Sequence, residues 1–408
     1  MSLSLSQPHA RDVVITGLGI ISPYGRGCET YWNGLSTGTC ALGPLTLFPT
    51  EGFPANVGGQ VPDATIRGLG GAQRSRANRL LLAAADEAVG QAALSPEALT
   101  SAAISMGSTG GGMLEVETWH QQYCHHQDDR RTRGALRTMI PATQTEALAR
   151  RFHIEGPRES PILACSSSAA ALISVADLIT TGVVEVGLAG GVDSLTRVCF
   201  MGFNALKLLD KNPCRPFARD RRGMSVSEGA AVLVLESYAH AVTRGAPILA
   251  FLAGGGISSD AFHQTSPPAD GEGAVRAMRE ALKRAGLTAR DIAYVNAHGT
   301  GTVQNDKAES SALEQVFGAG NVLVSGTKSL IGHTMGAAGA MEAVATIMAL
   351  NTGLLPPTAN LDETDPEVLF DCIPHTARAC VVDHAMSNSF GFGGQNVSLI
   401  FRHPRVCG

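Results

Sequence analysis

Two stretches of this chain are apolar on nearly every side. Residues 165–182 and 333–353 are dominated by Ala, Leu, Ile, Val and Met. A helix that packs on one face shows one apolar stripe, whereas a helix apolar all round must be covered all round. Each stretch follows a short strand-like run, Pro161-Ile162-Leu163-Ala164 in one case and Val322-Leu323-Val324 in the other. Further upstream the same order occurs twice. A helical pattern over 80–89 leads to Leu94, a strand over 102–106 and Gly107-Ser108-Thr109-Gly110. A helical pattern over 274–285 leads to Leu287, a strand over 292–295 and His298-Gly299-Thr300-Gly301. Glycine-rich turns then close each half, Gly190-Gly191 and Gly391-Phe392-Gly393-Gly394.

This is the pattern of a diverged duplication. The boundary falls near Gly245, giving halves 1–245 and 246–408. No low-complexity linker separates them, so they are expected to pack as one body. Alternating strands and helices predict an α/β fold with mostly parallel sheets. Two all-apolar helices are covered most economically when two sheets sandwich them, a five-layer αβαβα arrangement. Ligands in such sheets bind beyond the carboxyl ends of strands.

Composition narrows the picture. Charged residues are 16% and hydrophobic residues 44% of the 408, which predicts much buried surface, a subunit interface included. The net charge of −5 gives no reason to expect nucleic acid as a partner. The nine cysteines show no CxxC pair and no metal-like Cys/His spacing. They read as free thiols in a reducing, cytoplasmic compartment, with no metal site. The N-terminal residues have no signal-peptide character. Residues 335–355 contain Glu342, Asn351 and several Gly, too broken for a membrane span.

The candidate chemistry centres on Cys165, where an apolar run ends and a small-residue helix begins. A helix N-terminus favours thiolate and can hold an oxyanion. His298 and His333 also lie in small-residue turns just after predicted strands, so the duplication brings all three together. A Cys with two His suits acyl transfer through a covalent thioester.

Taken together, Val14-Ile15-Thr16-Gly17-Leu18-Gly19, Ala164-Cys165-Ser166-Ser167, the Ser259-Asp260 segment through Thr265-Ser266-Pro267, Asn296-Ala297-His298-Gly299-Thr300-Gly301-Thr302, Gly326-Thr327-Lys328-Ser329 through Gly332-His333, and Asn388-Ser389-Phe390-Gly391-Phe392-Gly393-Gly394 resemble one family over nearly the whole chain. It is the thiolase-like condensing enzymes, specifically the elongating 3-oxoacyl-[acyl-carrier-protein] synthases, or type II ketosynthases. The resemblance implies the thiolase-like five-layer fold. It also implies decarboxylative Claisen condensation of a Cys-bound acyl chain with malonyl-acyl-carrier protein, in fatty-acid or polyketide and polyene synthesis.

The resemblance also assigns residues. Cys165 is the nucleophile, and the backbone N–H groups of Cys165 and Phe390 form the oxyanion hole. His298 and His333 donate to the enolate oxygen, and removing one such donor costs about 100- to 1000-fold in rate. Lys328 tunes both histidines, with Glu309 as its acidic partner. Thr300, Thr302 and Thr265 bind the phosphopantetheine arm, and Phe390 gates the site. Leu114 and Met139 line the far end of the acyl pocket at a dimer interface. Arg74, Arg76, Arg133 and Arg215 form a basic patch for the acidic carrier protein. No cofactor is expected beyond the carrier's own arm. The partner is a second copy or a chain-length-factor-like homologue.

Some positions depart from the family pattern. Arg222 replaces a usual Asp, Ser227 a usual Gly, and Gln304 and Asn305 follow the second motif where Pro and Gly are commoner. Residues 123–137 are unusually polar, with His125 and His126 among them. These departures point away from a housekeeping fatty-acid enzyme. A non-catalytic chain-length subunit is the main alternative, and the intact Cys-His-His set argues against it. A degradative thiolase would need a second catalytic Cys, and Cys372, Cys380 and Cys407 lack the Gly-rich setting for one.

Overall fold

The structure is a computed structural model that describes residues 8–69, 75–125 and 132–407. Five main strands come from the first half: β1 (Val13–Ser22), β2 (Ala103–Gly107), β3 (Arg158–Glu159), β4 (Val186–Asp193) and β5 (Gly229–Ser237). Five come from the second: β6 (Ala250–Ser259), β7 (Tyr294–Asn296), β8 (Leu323–Ser325), β9 (His384–Gly391) and β10 (Gln395–Arg402). Six helices shape the site: α1 (Arg76–Ala92), α2 (Met113–Cys124), α3 (Ser167–Thr180), α4 (Glu272–Ala285), α5 (Val303–Phe317) and α6 (Ala338–Thr352).

Strand order is β3-β2-β4-β5-β1-β6-β10-β9-β7-β8. Each half therefore repeats one order outward from its first strand. The expectation of two separate sheets needs correction. β1 and β6 pair through Val14 with Phe251 and Ile15 with Ala250, so the two five-stranded halves form one continuous ladder. The layers are as expected. α3 and α6 pack on each other and on strands of both halves, while α1 covers β1 and β5 outside and α4 covers β6 and β10.

The duplication extends to atomic detail. β1 bulges between Ile15 and Gly17, and β6 bulges at the same place, between Leu252 and Gly254. A Cβ on Gly17 or Gly19 would collide with the carbonyls of Ala88 and Ala84 on α1. A Cβ on Gly254 or Gly256 would collide with those of Ala281 and Ala277 on α4. Both halves thus use a Gly-x-Gly strand and an Ala-lined helix for one close approach.

The central helices are buried as their composition requires. Every residue of α6 from Ala338 to Ile347 is buried, Glu342 included. Small side chains let α3 and α6 touch, and Ser168 Oγ accepts the Ala340 N–H at 2.9 Å. Both helices begin later than the apolar pattern suggests. Each is preceded by a 3₁₀ turn, Ala164–Ser166 and Met335–Ala337, whose first residue has φ of +48° and +52° respectively. These elbows turn the chain sharply between loop and helix. Among the described residues no helix is long and apolar enough to cross a membrane.

Candidate active site

Cys165 sits on the first elbow. Serines fix this turn: Leu163 N–H donates to Ser167 Oγ at 2.8 Å, and Ser166 Oγ and Ser167 Oγ donate to the carbonyls of Leu163 and Ala164. Cys165, His298 and His333 line one open cleft with Thr265, Thr300, Thr302, Phe390 and Phe392. The cleft lies past the ends of β7 and β9, where the strand pattern places a site.

His298 follows β7. Its N–H and that of Gly299 donate to the two oxygens of Glu309 on α5, both at 2.8 Å. Lys328 is buried beside it. Its Nζ donates to the His298 carbonyl at 2.5 Å, to His298 Nδ1 at 3.2 Å and to Glu342. An ammonium only donates, so Nδ1 of His298 is the acceptor and the ring proton sits on Nε2. His333 reaches the same state differently, because its Nδ1 accepts the Met335 N–H at 3.2 Å. The two rings meet edge to face, 5.3 Å apart.

Electrostatics reinforce this. Burial, with the Lys328 charge adding to it, holds both histidines well below the ordinary imidazole range. Both are neutral at pH 7, and each has Nε2–H left for the cleft. Burial pushes the Cys165 thiol up to about 11, against the opposing pull of Lys328 and of the Phe392 N–H. Burial likewise raises Glu309 and Glu342 to about 7 despite their hydrogen bonds.

Several expectations are corrected. The N–H facing the Cys165 sulfur from the glycine loop is that of Phe392, two residues beyond the expected Phe390. Phe390 is still in β9, paired with Asn396, and its ring lies 5.8 Å from His298. Phe392 lies on the turn itself, with its ring against Phe203. The acid bonded to Lys328 is Glu342; Glu309 is spent on backbone N–H groups. Arg76 is no surface residue. It starts α1 with its side chain turned inward to Glu228, which also takes the N–H groups of Val61 and Leu195. Arg215 is only 14% exposed at its side chain and is held by Asp210 and Asp220. Arg133 is at the surface, and Arg74 lies outside the described residues.

Thr300 and Thr302 share a hydroxyl hydrogen bond of 2.8 Å at the cleft wall. Leu114 packs in an apolar cluster with Phe200 and Met335, while Met139 is 50% exposed. Neither lines the cleft around Cys165. Ser227, one of the departures, is buried and donates to the Gly59 carbonyl, and Arg222 is exposed.

Sequence reasoning missed Glu342 and Phe392. Glu342 carried a usable signal, because a carboxylate in an all-apolar helix needs a buried partner.

A thiol at an elbow between the two halves of the sheet, sharing one cleft with two neutral imidazoles, defines a thiolase-like condensing enzyme. The chain belongs to the beta-ketoacyl synthase family: the N-terminal domain of that family matches residues 10–241 and the C-terminal domain matches 249–362. It is an enzyme, an acyltransferase of the ketosynthase type. It is 40% identical to a 3-oxoacyl-[acyl-carrier-protein] synthase 2 of Rhizobium meliloti (strain 1021), covering 96% of this chain and 99% of that one. It is 39% identical to nodulation protein E of the same strain, with the same coverage. Among solved structures it resembles the ishigamide ketosynthase/chain length factor, with TM-score 0.92 and 35% identity over 98% of this chain and 100% of that one.

Proposed function

We propose that the chain loads an acyl group from acyl-carrier protein onto Cys165 and condenses it with malonyl-acyl-carrier protein, releasing CO2 and 3-oxoacyl-acyl-carrier protein. The observation that carries this reading is the pair of neutral imidazoles whose Nε2–H groups are left for the cleft around one thiol. In loading, the Cys165 sulfur attacks the acyl thioester as its proton leaves. The oxyanion is held by the N–H groups of Cys165 and Phe392, and the carrier thiol departs with a proton. In condensation the malonyl C–CO2 bond breaks and its electron pair forms an enolate. The enolate oxygen accepts from His298 and His333, whose fixed dipoles need no reorganisation. The enolate carbon attacks the Cys165 thioester, the C–S bond breaks, and the departing thiolate takes a proton from solvent to restore the thiol. Lys328 holds His298 in the donating tautomer. These steps use the chain's own residues and the carrier's arm.

Thr300, Thr302 and Thr265 suit the amides of that arm, and Phe392 on its glycine loop suits the gate. The carrier docks on the surface that includes Arg133 and not on Arg76, which is buried against Glu228. The acyl chain ends near Leu114, with Met139 covered by a partner subunit. That partner is a chain-length-factor-like homologue in a specialised pathway, a reading supported by the likeness to the ishigamide ketosynthase/chain length factor. A reducing, cytoplasmic setting fits the eight cysteines whose side chains are described, all of them free thiols. Intact-mass measurement after incubation with acyl-acyl-carrier protein tests the core claim. Wild type gains the acyl mass and Cys165→Ala gains none; equal gain in both would place the nucleophile elsewhere.

A further inference from the structure

The second elbow, Met335–Ala337, copies the first but carries no reactive side chain. Strand register fixes the correspondence. Gly17 pairs with Val234, which pairs with Leu188; Gly254 pairs with Ile400, which pairs with Met386. Five residues on, Asp193 and Gly391 occupy equivalent places at the ends of β4 and β9. Leu188 pairs with Ile104 and Met386 with Val295, so Gly107 stands where His298 stands in the other half. The positive-φ residues Ala164 and Met335 align the elbows, so Gly336 stands where Cys165 stands.

The two equivalent places are filled differently. A Cβ on Gly391 would lie 3.2 Å from the Cys165 N–H nitrogen and 2.8 Å from the Leu163 carbonyl. Glycine there leaves room for a substrate oxygen at the Cys165 N–H. In the other half Asp193 puts a carboxylate oxygen 2.7 Å from the Gly336 N–H. That carboxylate is buried. It also accepts from Ser108 Oγ and the N–H groups of Thr109, Gly110 and Gly111 at 2.7–3.2 Å. Thr109 Oγ1 in turn reaches the Ala164 carbonyl of the first elbow at 3.5 Å.

We propose that Asp193 is a positioning residue whose carboxylate permanently fills, at the second elbow, the oxyanion place that substrate occupies at Cys165. The duplicated fold thus has two oxyanion cradles. One is kept open by Gly391 for catalysis. The other is closed by an internal anion and serves as a clamp. The clamp ties the loop after β2 to the turn after His333, and through Met335 it fixes the N–H that sets the His333 tautomer. Without it, five donors from two segments lose their acceptor, and His333 loses its orientation.

Chemical rescue tests this. Asp193→Ala opens a cavity lined by N–H groups that a small carboxylate fits. The variant is expected to lose about 100-fold in condensation rate, the scale of an ångström-size misplacement. Formate is expected to restore at least about tenfold of that and to raise the melting temperature of the variant alone, since it binds only the folded form. Chloride at equal ionic strength should do neither. Wild-type rates in Asp193→Ala, or a deficit and melting temperature that formate leaves unchanged, overturns the proposal. A mirror variant covers failure of Asp193→Ala to fold. Gly391→Asp should place a carboxylate on the Cys165 N–H and abolish acyl loading in a folded chain; normal loading there overturns the equivalence. The inference rests on the ketosynthase reading only for its rate measurement. Melting shifts need no substrate, so a wrong substrate assignment shows as an inactive wild type with the formate effect intact.

Discussion

Lys328 Nζ lies 3.2 Å from Nδ1 of His298 and donates to that residue's carbonyl and to Glu342 as well. All three ammonium protons are used inside the protein. The lysine is 1% exposed and Glu342 2%, so this is a fully buried ion pair with a catalytic neighbour. Breaking such a pair from one side leaves an uncompensated buried charge and costs about 3–5 kcal/mol, whereas replacing both partners by neutral groups of similar shape is near neutral. Lys328→Ala should therefore lose stability on that scale in urea titration and lose malonyl decarboxylation. Lys328→Met with Glu342→Gln should recover most of the stability and none of the activity. Recovery of activity in the double variant would show that the ammonium has no part in setting the His298 tautomer.

The two histidines reach the same neutral tautomer by separate means, so their contributions should be separable from loading. His298→Ala and His333→Ala should each accept the acyl group on Cys165 while CO2 release falls about 100- to 1000-fold. Labelled malonyl-carrier protein gives the release and intact mass gives the loading. Wild-type release from either variant would remove that histidine from the enolate site.

Cys165 makes a pH prediction with a definite sign. Its thiol is raised to about 11 by burial, so thiolate is a trace species at pH 7 and grows about tenfold per pH unit below that value. Alkylation of Cys165 by iodoacetamide should rise in that proportion between about pH 7 and 9. A rate that levels off within this range would mean that the elbow and the Phe392 N–H outweigh burial after all.

Much of this site was legible because its signals are local in sequence. Cys165, His298 and His333 each end an apolar run in a small-residue turn, and the repeated order of elements predicts that they converge. The all-apolar helices predict the central layer, since no other place covers them on every side. What was not legible depends on side-chain direction. Whether Arg76 faces solvent or Glu228 is decided by which way the first turn of α1 rolls onto the sheet. Whether Glu309 or Glu342 meets Lys328 depends on the distance between two helices remote in sequence. The shift from Phe390 to Phe392 follows from where the strand ends: pairing runs to Gly391 opposite Gln395, leaving the next residue to turn toward Cys165. The joining of β1 to β6 follows from how the two halves pack, which the pattern within each half does not encode.

The surface around the first half calls for a partner. Leu136, Met139, Ile140 and Ile162 are each between 42% and 60% exposed, and among the described residues the two-residue strand β3 ends the ladder with one edge unpaired. Exposed apolar side chains and an open sheet edge are costly on a lone chain and typical of a two-fold interface. The chain expressed alone should therefore run larger than 42.3 kDa or aggregate in light scattering. Substituting Ile140 and Ile162 with Glu should shift it toward monomer and sharply reduce condensation, because Met139 and the acyl pocket lose their cover. Co-expression with each homologue encoded nearby should yield a one-to-one heterodimer with higher activity than the chain alone. A homodimer that makes ordinary saturated acyl chains at full rate, unaffected by any such homologue, would reject the chain-length partner and assign the enzyme to fatty-acid synthesis.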